Sequence, residues 1–201
     1  MLNLHDILKN GYNKTKNNEM NGYQLDKQLS NHNNQIYYNQ KENKLLHNIN
    51  GTNSFSDVIT DGYLAAGKLK DTSRYKDSHQ KLRQAKEKYK INDATITGHS
   101  LGASIAGYIG GKNDTVITAN KGATIGQKMR ANETHHRTQG DLVSLLNSGS
   151  KHTVNHENKN NRANSLLINA LNAHKITNLK DVHINTWKIY LYKNLILIYI
   201  I

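Results

Sequence analysis

The stretch ATITGHSLGASIAGY, Ala94 to Tyr108, decides the reading of this chain. Ala94 to Thr97 is a short run dominated by β-branched residues, the composition of a strand. A small-residue run from Leu101 to Ile109 follows with helical patterning and stops at Gly110-Gly111. Between them lies Gly98-His99-Ser100-Leu101-Gly102, a serine between glycines at a strand-to-helix junction. Gly98 and Gly102 remove side chains that would collide in so tight a turn, so Ser100 can take strained dihedrals and project its hydroxyl as a nucleophile. Leu101 opens the helix, and its backbone N–H is expected to point toward the space above the serine, where it suits a developing oxyanion. The other reading of Ser100 is a plain helix cap.

Working outward, Gln35–Tyr38 and Lys44–Ile49 are expected strands, the second closed by Asn50-Gly51-Thr52. Helical spacing runs from Ser54 to Leu69, and Ser73 is expected to cap a basic amphipathic helix reaching Tyr89. Thr115–Thr118 and Thr134–Thr138 are further strand candidates, and Arg162–Ala173 is a last helix. Strands alternating with helices imply an α/β fold with a mostly parallel central sheet covered on both faces. The first thirty or so residues are polar and Asn-rich and read as irregular or weakly helical. Residues 1–34 are therefore taken as a polar extension, 35–184 as the α/β domain, and 185–201 as an apolar tail. The tail is too short for a transmembrane helix. It reads as a buried edge strand or core plug, or as a segment inserted at a membrane interface with Trp187 at head-group level.

At 201 residues the chain suits one domain with a sizeable core. It has no cysteine, which excludes disulfides, thiolate metal sites and thiol nucleophiles. Proline is absent too, and asparagine fills about one position in seven, far above average usage. The N-terminus lacks the apolar core of a secretory signal, so the chain is compatible with a cytoplasmic setting or a macromolecular assembly. Lys and Arg outnumber Asp and Glu by 27 to 15, for a formal charge of +12. That surplus favours anionic partners, but the bases are spread along the chain and no nucleic-acid reading motif accompanies them. No specific nucleic-acid partner is expected.

The segments TGHSLG and NINGTNSFSDVITD together resemble the class-three lipases, the family typified by fungal triacylglycerol lipases. In that family a strand ends in a Gly-Ser or Gly-Thr pair before a helix carrying an aspartate, and Gly51-Thr52 and Asp57 stand in those places here. Two positions depart from the pattern: Asn50 replaces the usual arginine before the glycine, and Ala103 replaces a second glycine after the elbow. The resemblance spans roughly Ile36 to Ile184. It implies an α/β-hydrolase-like fold, with Thr52 and Leu101 supplying oxyanion donors.

A serine hydroxyl needs a histidine to take its proton and a carboxylate to orient the imidazolium. In α/β hydrolases the chain order is Ser, Asp, His. Asp141, after a strand-like stretch, matches the family's aspartate loop; Asp114 starts a strand instead of ending one. For the base, His174 fits the late loop of the family, with His152 and His156 as alternatives. His99 is adjacent to Ser100, is expected to point the wrong way to serve it, and reads as a packing residue.

Gly110–Asp114 does not complete a phosphate loop, because Asn113 stands where Ser or Thr is required. His135-His136 and His152/His156 lack the zincin pattern and read as solvent-exposed. No metal or cofactor is expected.

The resemblance and the charge together imply a lipid or phospholipid substrate met at an anionic membrane surface, cleaved as an ester by Ser100. The rival reading is a catalytically inactive protein of the same fold, serving as a structural or binding component within an assembly.

Overall fold

The computed structural model of the chain describes residues 2–52, 67–122, 129–144, 152–159 and 166–184. The expected helix from Ser54, with Asp57, lies largely outside these residues. So do the first residues of the Arg162–Ala173 helix and the tail with Trp187.

Ten strands are described: β1 (Leu2–Asn3), β2 (Glu19–Met20), β3 (Tyr23–Leu25), β4 (Asn34–Asn39), β5 (Lys44–Ile49), β6 (Thr95–His99), β7 (Thr115–Ala119), β8 (Glu133–Thr138), β9 (Thr153–His156) and β10 (His183–Ile184). The helices are α1 (Leu4–Tyr12), α2 (Ser73–Tyr89), α3 (Leu101–Ile109) and α4 (Leu166–His174), with 3-10 turns at Leu69–Asp71 and Ile176–Leu179. Strands β2 to β9 form one sheet in chain order. The pairings from β2 to β5 are antiparallel and those from β5 to β9 are parallel. The expected α/β class with a mostly parallel sheet is what the chain adopts.

Alternation along the strands divides two cores. Ile36, Leu45, Ile49, Ile96 and Val116 point to one face, where they meet Leu82 and Ala85 of α2 and Ile105, Ala106 and Ile109 of α3. Their neighbours Tyr37, Leu46, Ile117 and Ala119 point to the other, against Leu4, Ile7 and Leu8 of α1 and Leu179. This is the period of two expected for strands covered on both sides. Parallel neighbours need crossovers, and α2 carries the chain from β5 to β6 as α3 carries it from β6 to β7.

The N-terminal segment corrects its sequence reading. It is neither irregular nor set apart: α1 is amphipathic, capped by Asn3, whose side chain accepts from the Asp6 N–H, and it buries Leu4, Ile7 and Leu8. β1 pairs with β10, and β2 and β3 extend the sheet. Two smaller corrections follow. Thr72, in extended conformation, caps α2 through its hydroxyl to the Tyr75 N–H, displacing Ser73 into the first turn. And the histidines expected at the surface are largely covered: His135 is fully buried because β8 is an interior strand, and His136 and His156 are hydrogen-bonded to each other at 2.9 Å across β8 and β9.

Burial pushes His47, His99 and His135 down to about 3 and His136 to about 4. In the unfolded chain these groups titrate near the ordinary value of about 6.5. Between the two values the unfolded state binds the extra protons, so stability rises with pH there. It is therefore complete above the unfolded value and lost as the pH falls toward 3 to 4, by about 1.4 kcal/mol per pH unit for each group. The urea midpoint is expected to drop steeply between about pH 7 and about pH 5. An unchanged midpoint over that interval overturns the neutral burial of these rings.

Candidate active site

The site assembles at the carboxyl edge of the parallel strands, where β5, β6 and β7 end together. Ser100 caps α3 directly after β6, with φ 56° and ψ −124°, a conformation that non-glycine residues rarely adopt. Its N–H donates to Ala119 O at 3.0 Å and its carbonyl accepts from Ala103, Ser104 and Gly122. The strained residue is thus bolted to the end of β7 and to its own helix, as a nucleophile elbow requires. The Ser100 side chain is buried, and its hydroxyl has no hydrogen-bond partner among the described residues.

The elbow closes only because two residues lack side chains. A Cβ on Gly98 would lie 2.5 Å from Gly102 O, and one on Gly102 would lie 2.2 Å from Ile49 O. The first turn of α3 therefore rests directly on the backbone of β5 and β6. Leu101, its first residue, has an N–H that no helical carbonyl can reach, as at the start of any helix.

Asp141 and His174 are brought into contact from 33 residues apart: His174 Nδ1–H donates to Asp141 Oδ1 at 3.0 Å. The Asp141 side chain is fully buried and also accepts from Val143 N–H at 3.1 Å and from Ser144 Oγ at 2.5 Å. Burial alone would raise its pKa. The bonds from His174, Ser144 and Val143 outweigh that and hold the carboxyl below its ordinary range. With Nδ1–H committed to the carboxylate, Nε2 is the basic nitrogen of the ring.

The alternatives lie elsewhere. His156 faces His136, and Asp114 is tied to Lys86 at 2.6 Å and to the N–H groups of Ala94 and Gly111. His99 is more than a packing residue: it hydrogen-bonds through both ring nitrogens, to Tyr12 and to the His174 carbonyl, and its ring centroid is 4.9 Å from that of His174.

Gly51 and Thr52 follow β5 beside the elbow. A Cβ on Gly51 would meet Ser100 Cβ at 3.0 Å, so this backbone passes directly against the serine. Asn50, at the family's arginine position, turns its amide to the carbonyls of Gly11 and His32. An arginine arrives from α2 instead: Arg74 Nη2 donates to Asn50 O at 2.5 Å and reaches Gly51 O at 3.5 Å. No local motif marks Arg74, because only the packing of α2 brings it to this loop. Among the described residues no cluster of three His, Asp or Glu could hold a metal.

The class 3 lipase family model matches residues 22–110, which include β3 to β6, the Asn50–Thr52 loop and the Ser100 elbow. The resemblance carried by the elbow is thus borne out over the matched residues. The matched region starts before the expected Ile36 and stops ahead of Asp141 and His174. Among solved structures the chain is similar to the Lip2 lipase of Yarrowia lipolytica, with a TM-score of 0.42 and 17% identity over 69% of this chain and 72% of that one. No curated protein matches.

Gly98→Ala or Gly102→Ala is expected to destabilise the fold by about 2–4 kcal/mol, because backbone must shift to admit the methyl. Gly67→Ala, whose added Cβ meets nothing within 4 Å, serves as the control. Urea titration checks both, and equal midpoints for all three variants sink the close-packed elbow.

Proposed function

We propose that this chain, whose residues 22–110 match the class 3 lipase family, is a serine hydrolase that cleaves carboxylic esters of lipids through Ser100, His174 and Asp141. The observation that carries the reading is the Asp141–His174 pair at 3.0 Å on the same sheet edge as a serine held at positive φ. His174 Nε2 takes the hydroxyl proton as Ser100 Oγ attacks the ester carbonyl, and Asp141 stabilises the imidazolium that forms. The oxyanion is held by the N–H groups of Thr52 and Leu101. As the intermediate collapses, the proton passes to the leaving alcohol and an acyl-enzyme remains. Water, deprotonated by His174, then releases the fatty acid and restores the serine.

Two exposed apolar side chains support a lipid substrate. Leu142, next to the buried Asp141, is 51% exposed, and Ile168 of α4 is 49% exposed. The formal charge of +12 draws the protein to anionic bilayers, which favours phospholipids among the lipid esters. No helix among the described residues is long and apolar enough to cross a membrane.

A fluorophosphonate probe is expected to label wild-type protein and to leave Ser100→Ala unlabelled. His174→Ala and Asp141→Ala should react at least ~10³-fold more slowly. Absence of labelling, with and without anionic vesicles, overturns the enzyme in favour of the inactive structural protein. Hydrolysis should also be faster on phosphatidylglycerol than on phosphatidylcholine vesicles, and that preference should fade as salt is added. A preference that salt does not touch removes the electrostatic part of the proposal.

A further inference from the structure

We propose that Tyr12 and His99 are positioning residues for this hydrolase, forming a brace that holds the Gly51–Thr52 loop and the His174 backbone on either side of Ser100. The inference rests on the serine-hydrolase reading and adds to it two side chains that lie outside its Ser-His-Asp set.

Three hydrogen bonds make up the brace. The Gly51 N–H donates to the Tyr12 hydroxyl at 2.8 Å, Tyr12 Oη lies 2.9 Å from His99 Nδ1, and His99 Nε2 lies 2.9 Å from the His174 carbonyl. Their polarity follows from elementary valence. A carbonyl oxygen can only accept, so His99 Nε2 carries a proton. The ring is buried and neutral, so Nδ1 holds a lone pair and must accept from Tyr12. The Tyr12 oxygen, having given its proton to that bond, accepts from the Gly51 N–H. Every donor has one acceptor, and no rotation of a hydroxyl or flip of a ring produces an equivalent arrangement.

The span of the brace sets its purpose. Tyr12 ends α1, 87 residues before His99, and His174 lies 75 residues beyond it. Three separate parts of the chain are thus locked to the residue immediately before the nucleophile. At one end the Gly51 peptide is fixed by Tyr12, while Arg74 holds the Asn50 and Gly51 carbonyls from the opposite side. In a trans peptide the Thr52 N–H points away from the Gly51 carbonyl, so these contacts aim it away from Arg74. At the other end, His99 and Asn120, whose amide donates to the Ala173 and His174 carbonyls, both hold the backbone that carries the base. The Tyr12 and His99 rings meet edge to face, with centroids 5.8 Å apart, which leaves little room for either to turn.

The test is steady-state hydrolysis of a soluble p-nitrophenyl ester, with active sites counted by fluorophosphonate titration so that misfolded protein is not scored. Tyr12→Phe keeps the ring and removes the hydroxyl. It is expected to lower kcat per titrated site by ~10-fold with KM within about twofold, because misplacement weakens interactions made in the transition state. His99→Leu should cost more, ~30-fold or above, since it also releases the His174 carbonyl. His99→Gln retains an N–H donor near the Nε2 position and should recover most of that loss. The double variant Tyr12→Phe/His99→Leu should be no worse than His99→Leu alone, because both act through one chain of bonds. Wild-type kcat per site in Tyr12→Phe and His99→Leu overturns the brace and leaves the hydrolase intact. A wild-type protein that neither hydrolyses the ester nor titrates, in the presence of anionic vesicles, overturns the hydrolase itself and the brace with it.

Discussion

The backbone of α3 touches the backbone of β5 and β6 with no side chain between them, and everything at the sheet edge follows from that contact. Gly98 and Gly102 permit it; any Cβ at either place would sit 2.2 to 2.5 Å from a carbonyl oxygen. Because the helix starts this close, Ser100 has no relaxed way to join it to the strand. It takes positive φ, and the cost is met by four backbone hydrogen bonds through its own N–H and carbonyl. The same closeness brings Gly51 against Ser100 and sets the end of β5 beside the elbow. A strand-to-helix turn with ordinary packing would give a plain helix-capping serine.

A second constraint shapes the opposite face of the sheet. Asparagine is abundant in this chain, and several asparagines fall at buried positions where they must be satisfied. Asn48 donates to Gln35 and accepts from Thr97, while Asn50 donates to Gly11 and His32. The result is a polar ladder beneath the end of α1. Gly11 is what lets the helix settle on it, since a Cβ there would meet Asn50 Oδ1 at 2.1 Å. That seating delivers Tyr12, the next residue, to His99. An ordered polar layer of this kind specifies one docking of α1 where an apolar patch would tolerate several.

The sequence showed those parts of the fold whose signal is local. β5 was legible to the residue, as was α3, because an apolar and a small-residue run are bounded there by Asn-Gly and Gly-Gly. The Ser100 elbow was legible for the same reason. Asp141 was found from its place after a strand, and His174 was separated from His152 and His156 only by a family resemblance; their contact depends on the tertiary fold. What stayed hidden is equally instructive. α1 was obscured because His5 and Asn10 are buried on the face that carries its apolar residues, so the apolar stripe is interrupted by polar letters. Arg74, Asn120 and Tyr12 carry no motif at all. Each reaches the site through a contact spanning 23 to 87 residues, and no window of sequence contains both ends of such a bond.

The histidines show why residue type alone could not single out His174. The chain has eleven, and several are buried within one sheet. His47 Nε2–H donates to Asn34 Oδ1, His135 faces Thr118, and His99 bridges a hydroxyl and a carbonyl. Burial without a carboxylate holds these three neutral, far below the range in which they could exchange protons at ordinary pH. His174 is as buried as His99 and touches it, yet it alone among the described histidines has a buried carboxylate on Nδ1. The difference lies in Asp141, kept ionised by Ser144 and the Val143 N–H, and able to stabilise a positive ring where its neighbours have no such partner. Two imidazoles side by side thus differ in kind: His174 holds a buried carboxylate on Nδ1, while His99 spends both nitrogens on a hydroxyl and on the His174 carbonyl.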